Sequence, residues 1–108
     1  MPDVYAIHDG LPLWLELKTT NSNSVRLSPT QISWHTAHSH VGGLSFILVK
    51  HLGSGTLFLF AGHRARLLAS EGLGSGCDFE GSGFGDLFGA ISGIVRGHYR
   101  EVIGDSGQ

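Results

Sequence analysis

Residues 2–18 read Pro2-Asp3-Val4-Tyr5-Ala6-Ile7-His8-Asp9-Gly10-Leu11-Pro12-Leu13-Trp14-Leu15-Glu16-Leu17-Lys18, and the dipeptide at the centre of this stretch decides the fold. Asp-Gly between two alternating apolar runs is the strongest short signal for a two-residue hairpin turn, with positive φ at both central positions. Residues 3–8 and 11–18 are therefore predicted as antiparallel strands in a single register. His8 then faces Leu11, Ala6 faces Leu13, Val4 faces Leu15 and Asp3 faces Glu16. The alternation agrees: Val4, Ala6, Leu13, Leu15 and Leu17 share an apolar face toward the core, while Asp3, Tyr5, Trp14, Glu16 and Lys18 share the other. Pro12, which has no amide proton, belongs at an edge or at the start of its strand.

Outward from this hairpin, residues 19–27 are polar and without periodicity, which predicts a loop free to move. Ser28-Pro29-Thr30-Gln31 combines an N-cap serine, a proline at the first helical position and a glutamine three residues past the cap. A helix is expected from there to about Val41, stopped by Gly42-Gly43. The segments 45–51 (SFILVKH) and 56–62 (TLFLFAG) are nearly continuous apolar runs, as strands covered on both faces are, with LGSG forming the turn between them. A short basic helix follows from about His63 to Glu71. Residues 72–85 form a glycine-rich connector with little to bury and are expected to be mobile. A C-terminal helix over 86–100 is predicted from the helical spacing of Phe84, Leu87, Phe88, Ile91, Ile94 and Val95. Gly85, Gly89 and Gly93 make a small-residue stripe on it, read as a tight packing surface, with a dimer contact as the weaker alternative.

A chain of 108 residues fits one domain spanning 1–108, with the motif-bearing core at 2–60. With 41% hydrophobic and 15% charged residues it falls outside the disordered class. The net charge of -2 argues against a protein that coats nucleic acid by bulk charge, without excluding local contact with it. The single cysteine, Cys77, rules out an internal disulfide and a cysteine-based zinc cage, and suits a reducing, cytoplasmic setting. No apolar run approaches the ~18 residues of a membrane span, so no membrane association is expected.

Two carboxylates directly across a strand pair would hold their Cβ atoms ~4.5–5.5 Å apart, an arrangement that needs a proton or a cation between them. A hard divalent ion, Mg²⁺ or Mn²⁺, bridging Asp3 and Glu16 is the natural resolution. Lys18 lies two residues past Glu16 on the same face, within reach of a phosphate oxygen or a water at the ion. The Leu17 side chain is expected in the core, with its backbone carbonyl turned toward the ion.

Pro2-Asp3, a short gap, then Glu16-Leu17-Lys18 resembles the PD-(D/E)xK nucleases. The wider string, PDVYAIHDGLPLWLELK followed by VRLSPTQISWH and GGLSFILV, is similar to the VRR-NUC and Holliday-junction-resolvase-like group, including its small phage-type members. The resemblance covers about residues 2–60, and the acid, the E-x-K and the S-P-x-Q helix stand in the family's order. It implies an α/β, restriction-endonuclease-like mixed sheet flanked by helices, and Mg²⁺- or Mn²⁺-dependent hydrolysis of DNA phosphodiester bonds on branched or four-way junctions. Carried over, it makes Asp3 and Glu16 metal ligands, Leu17 a carbonyl ligand, Lys18 the partner of the attacking water and Gln31 a support residue. Family members usually carry a helix before the Pro-Asp motif, often with another acidic residue. The expected fold here lacks that helix, and a homodimer or a partner chain is expected to cover the sheet face left open. The resemblance also extends the setting to an intracellular, virus-encoded protein.

Other residues carry two readings each. Gln31 is either a helix cap or a support for the site. His35, His38 and His40 are expected at the surface or facing nucleic acid, because no acidic neighbour completes a metal set. Arg26, Lys50, Arg64 and Arg66 either line a phosphate-binding surface or serve as solubilising charge. Tyr5 and Trp34 either stack on bases or pack at the edge of the core. The alternative to an enzyme is a catalytically impaired nucleic-acid-binding or partner-binding module that keeps the nuclease fold.

Overall fold

The computed structural model describes residues 3–8 and 10–103, with side chains through residue 98. The architecture is α/β: one mixed five-stranded sheet flanked by three helices. In chain order the elements are β1 (Val4–His8), β2 (Leu11–Thr20), α1 (Pro29–His40), β3 (Ser45–His51), β4 (Leu57–Ala61), α2 (Ala65–Glu71), β5 (Phe79–Gly81) and α3 (Phe84–Ile103). Strand order in the sheet follows chain order, with β2 and β3 parallel and every other neighbouring pair antiparallel. A parallel pair needs a crossover, and α1 supplies it between β2 and β3.

The first hairpin has the register that a two-residue turn imposes. Val4 pairs with Leu15, Tyr5 with Trp14, Ala6 with Leu13, Ile7 with Pro12 and His8 with Leu11. Gly10 has φ of 77°, as such a turn requires, while Pro2 and the Asp9 half of the turn lie outside the described residues. Pro12 stands in the part of β2 that precedes its pairing with β3, which begins at Trp14.

Alternation along the strands divides the core in two. Leu13, Phe46, Leu57, Leu59 and Ala61 face α3 and pack on its Leu87, Ile91 and Val95. Ile47, Val49 and Phe60 face the other way, toward α1 and α2, and pack with Val25, Leu27, Ala65 and Leu68. Strands buried on both faces read as continuous apolar runs, which is why 45–51 and 57–61 lack a visible period of two. Over β2–β5 the first face of the sheet is packed by α3. His98 Nε2 anchors this helix to the Gly42 carbonyl at 2.9 Å. At the β1 margin Val4 and Ile7 stay exposed, and so do Phe84 and Phe88, which the periodicity had assigned to the buried stripe.

Three further expectations are revised by contacts between distant segments. The loop 21–27 is pinned: Val25 and Leu27 are buried, Thr20 Oγ1 donates to the Ser24 carbonyl at 2.7 Å, and Leu73 N donates to the Asn23 carbonyl at 2.7 Å. The connector 72–85 is likewise structured. It contains the edge strand β5, and Leu73 is buried. Asp78 N donates to the Leu59 carbonyl, and the Asp78 carboxylate accepts from Ala61 N at 2.7 Å and from Arg64. A three-residue strand is too short to show periodicity, so pairing with β4 is its only signature. The glycine stripe on α3 is not a packing surface, because a Cβ added at Gly85, Gly89 or Gly93 would meet open space. Among the described residues no helix is long and apolar enough to cross a membrane.

Because Gly89 and Gly93 carry a glycine's backbone entropy without using its small size, Gly89→Ala and Gly93→Ala are each expected to raise the unfolding free energy by about 0.5–1 kcal/mol. The measurement is a urea midpoint at unchanged slope. A lower midpoint in either variant would mean that the stripe is covered in solution.

Candidate active site

Asp3 sits one residue before the first ladder pair, so its side chain lies at the open end of β1 beside β2. There its Oδ2 accepts a hydrogen bond from Leu17 N at 2.9 Å. Glu16, on the adjacent strand and on the α1 face of the sheet, is only 3% exposed. Its carboxyl is held above the ordinary value of 4.5, first by burial and then by the negative charge and close approach of Asp3, with Lys18 pulling the other way. Two carboxyl groups, one of them buried, are thus held against each other. The N–H and C=O of a strand residue point to the same side, so the Leu17 carbonyl, like its amide, is directed toward Asp3. The Leu17 side chain is 48% exposed rather than in the core, because β2 runs past the end of the packed face.

Gln31 joins the helix to the site. The box expected at the start of α1 is formed, with Ser28 Oγ accepting from Gln31 N at 3.1 Å and Gln31 Oε1 accepting from Ser28 N at 3.0 Å. The same Oε1 accepts from Lys18 Nζ at 3.1 Å, and Gln31 Nε2 donates to Glu16 Oε2 at 3.3 Å. Helix cap and site support are one side chain using both ends of its amide.

Behind Glu16 lies a residue expected at the surface. His35, one turn beyond Gln31 on α1, is fully buried. Its Nδ1 shares a hydrogen bond of 2.8 Å with Ser45 Oγ, and its Nε2 stands 3.6 Å from Glu16 Oε1. Burial, and after it the charge of His38, lowers its pKa from 6.5 to about 4, so at neutral pH this contact joins a neutral imidazole to a carboxyl and is not an ion pair. Gly62 makes the arrangement possible, since a Cβ there would run into Ser45 Oγ and come within 3.2 Å of His35 Nδ1. His35 therefore does have an acidic neighbour, on a strand far from it in sequence. Only the side-chain parity of β2 together with the crossover could have revealed it.

The four expected phosphate contacts separate. Arg26 lines an open groove of about 550 Å³ together with Leu17, Lys18, Thr19, Ser28 and Gln31, the last of which bonds to Glu16. Lys50 follows Phe46 and Leu48 on the α3 face, across the sheet from the site. Arg64 is committed to Asp78, with Nε at 3.1 Å and Nη2 at 3.4 Å from its carboxylate oxygens. Arg66 is exposed on α2 and lines no part of the groove. The site face carries aromatic rings as well: Tyr5 on Trp14 at 4.7 Å, Trp14 edge-on to Trp34 at 5.9 Å, and Trp34 stacked on His38 at 4.6 Å. Cys77 is half-buried with its thiol pushed up chiefly by burial, the opposite of an activated nucleophile.

Among the described residues no set of three His, Cys, Asp or Glu side chains converges on one point. Asp3, Glu16 and a carbonyl still suit a hard divalent ion, which takes few protein oxygens and keeps several waters. A cation there would also relieve the repulsion that raises the Glu16 pKa.

The buried imidazole makes stability depend on pH. As the pH falls below 6.5 the unfolded chain takes up a proton at His35 that the folded chain does not accept until about 4. Stability is therefore complete above 6.5 and declines across this window by at most about 1.4 kcal/mol per pH unit. His35→Gln is expected to abolish this decline in urea titrations, leaving the opposite contribution of Glu16, whose raised pKa favours the folded state as the pH falls through it. An unchanged decline in the variant would place its origin elsewhere.

No protein-family model, curated protein or solved structure matches the chain, so its functional reading rests on the chemistry of these side chains.

Proposed function

We propose that the protein is a divalent-metal-dependent DNA endonuclease that hydrolyses phosphodiester bonds at Asp3, Glu16 and Lys18, as its likeness to the PD-(D/E)xK nucleases implies. The observation that carries this reading is a buried carboxyl, Glu16, held against Asp3 and bonded through Gln31 to a lysine that lines an open groove. Asp3, Glu16 and the Leu17 carbonyl are the groups that would hold Mg²⁺ or Mn²⁺. When bound, such an ion acidifies water and neutralises charge on the phosphate. Lys18, its ammonium aimed by Gln31 Oε1, orients the nucleophile and offsets the negative charge that grows on the phosphate oxygens. Gln31 keeps donor and acceptor in register, and Arg26 receives a neighbouring phosphate of the substrate backbone. A structure-selective action on branched or four-way junctions follows from the likeness alone. Symmetric incision of such a junction would suit a homodimer.

A second reading, a nucleic-acid-binding module without turnover, draws on the site having two acidic side chains where a fuller set would hold an ion more firmly. The two readings part on a cleavage assay with plasmid, flap and four-way junction DNA in Mg²⁺ or Mn²⁺. The nuclease reading expects cutting by the wild type and none by Glu16→Ala or Lys18→Ala, each with its circular dichroism spectrum unchanged. Cleavage retained by Glu16→Ala would reject the site, and binding of these DNAs without any cutting would favour the module. Arg26→Ala is expected to weaken DNA binding alike for all sequences and to lower the slope of log K against log salt by about 1.

A further inference from the structure

His35 is a costly residue to bury unless it does something there. This imidazole lies against Glu16 in the interior, and two atoms stand close together there. Glu16 Oε1 and His35 Nε2 are both buried, and neither has a hydrogen-bond partner among the described residues. Their separation, 3.6 Å, is too long for a hydrogen bond and short enough for a modest rotation of the carboxyl to close it. The other oxygen, Oε2, is already held by Gln31. On the far side of the ring, Ser45 Oγ lies 2.8 Å from Nδ1, in a space that exists only because residue 62 is glycine. The Trp34 ring stands nearly perpendicular to the imidazole, with centroids 5.3 Å apart. A neutral imidazole carries one proton. If the Ser45 hydroxyl donates to Nδ1, that proton sits on Nε2 and points at the carboxylate.

We infer that His35 is a positioning residue for Glu16: oriented by Ser45, it offers its Nε2–H to Oε1 and holds the carboxylate in the orientation that binds a divalent ion. This deepens the nuclease reading and rests on it. Groups that orient a ligand from behind in this way typically change metal affinity by roughly 10–100-fold when removed.

The test measures Mn²⁺ binding to the full chain without DNA, from the loss of the free-ion electron paramagnetic resonance signal, for wild type, Glu16→Ala, His35→Gln, His35→Asn, His35→Leu and Ser45→Ala. The glutamine amide can take the place of Nε2, whereas the shorter asparagine amide can take only that of Nδ1. Affinity close to wild type in His35→Gln is expected, with a loss of roughly 10–100-fold in His35→Asn and His35→Leu at unchanged circular dichroism. Equal affinity in His35→Gln and His35→Asn, or in His35→Leu and wild type, overturns the inference. Should the asparagine and leucine variants not fold, Ser45→Ala decides: weaker Mn²⁺ binding in a folded protein supports the role, and unchanged binding overturns it. Wild type that binds and cuts beside an equally active His35→Asn removes this inference alone. Wild type that holds Mn²⁺ no better than Glu16→Ala removes the nuclease reading and this inference together.

Discussion

A connection of two residues between β1 and β2 permits one register, and everything at the site depends on it. The last ladder pair, Val4 with Leu15, leaves Asp3 level with Glu16, where its carboxylate can reach the Leu17 amide. A slip of one residue would turn Asp3 to the opposite face and take Ala6 off the core, so the apolar face and the acid pair enforce the same alignment. The parallel pairing of β2 with β3 then sets Glu16 beside Ile47 and Trp14 beside Ser45. Through those pairs the hairpin is tied to the centre of the sheet.

The second constraint is the junction at Gln31. One amide caps α1, receives the Lys18 ammonium and donates to Glu16. Helix start and site geometry are thus coupled: the position of the first turn of α1 decides where Lys18 points. Such coupling favours precision, since the side chain that orders the site is itself held by backbone hydrogen bonds of the helix it begins.

Burying a carboxyl against another is unfavourable for folding, and burying an imidazole is too. Both occur here within one small volume, where Glu16, His35 and Ser45 meet beneath Gly62. An apolar cluster would fill that space with less electrostatic strain. Concentrated polar burial of this kind, on the side of the sheet that also carries Lys18 and Arg26, is what separates this region from the two ordinary cores around it.

The local chemistry of the chain was enough to read the first hairpin and its register, which put Asp3, Glu16 and Lys18 on one face, the capped start of α1, its stop before Gly42, the two central strands and the last helix. Each follows from neighbours within a few residues: a turn dipeptide, an N-cap box, an alternation, a helical spacing. That Gln31 belongs beside Asp3, Glu16 and Lys18 was implied by the family resemblance alone. Tertiary structure alone decided the rest, because it depends on which distant segments meet. His35 became the buried neighbour of Glu16 through the α1 crossover, and Arg64 was taken up by Asp78 from a segment that reads as a featureless linker. Lys50 was turned from the site by a strand parity that has meaning only once β2 and β3 are aligned. β5 exists because β4 offered it an edge, and the loop 21–27 is anchored because Val25 and Leu27 found a core to enter.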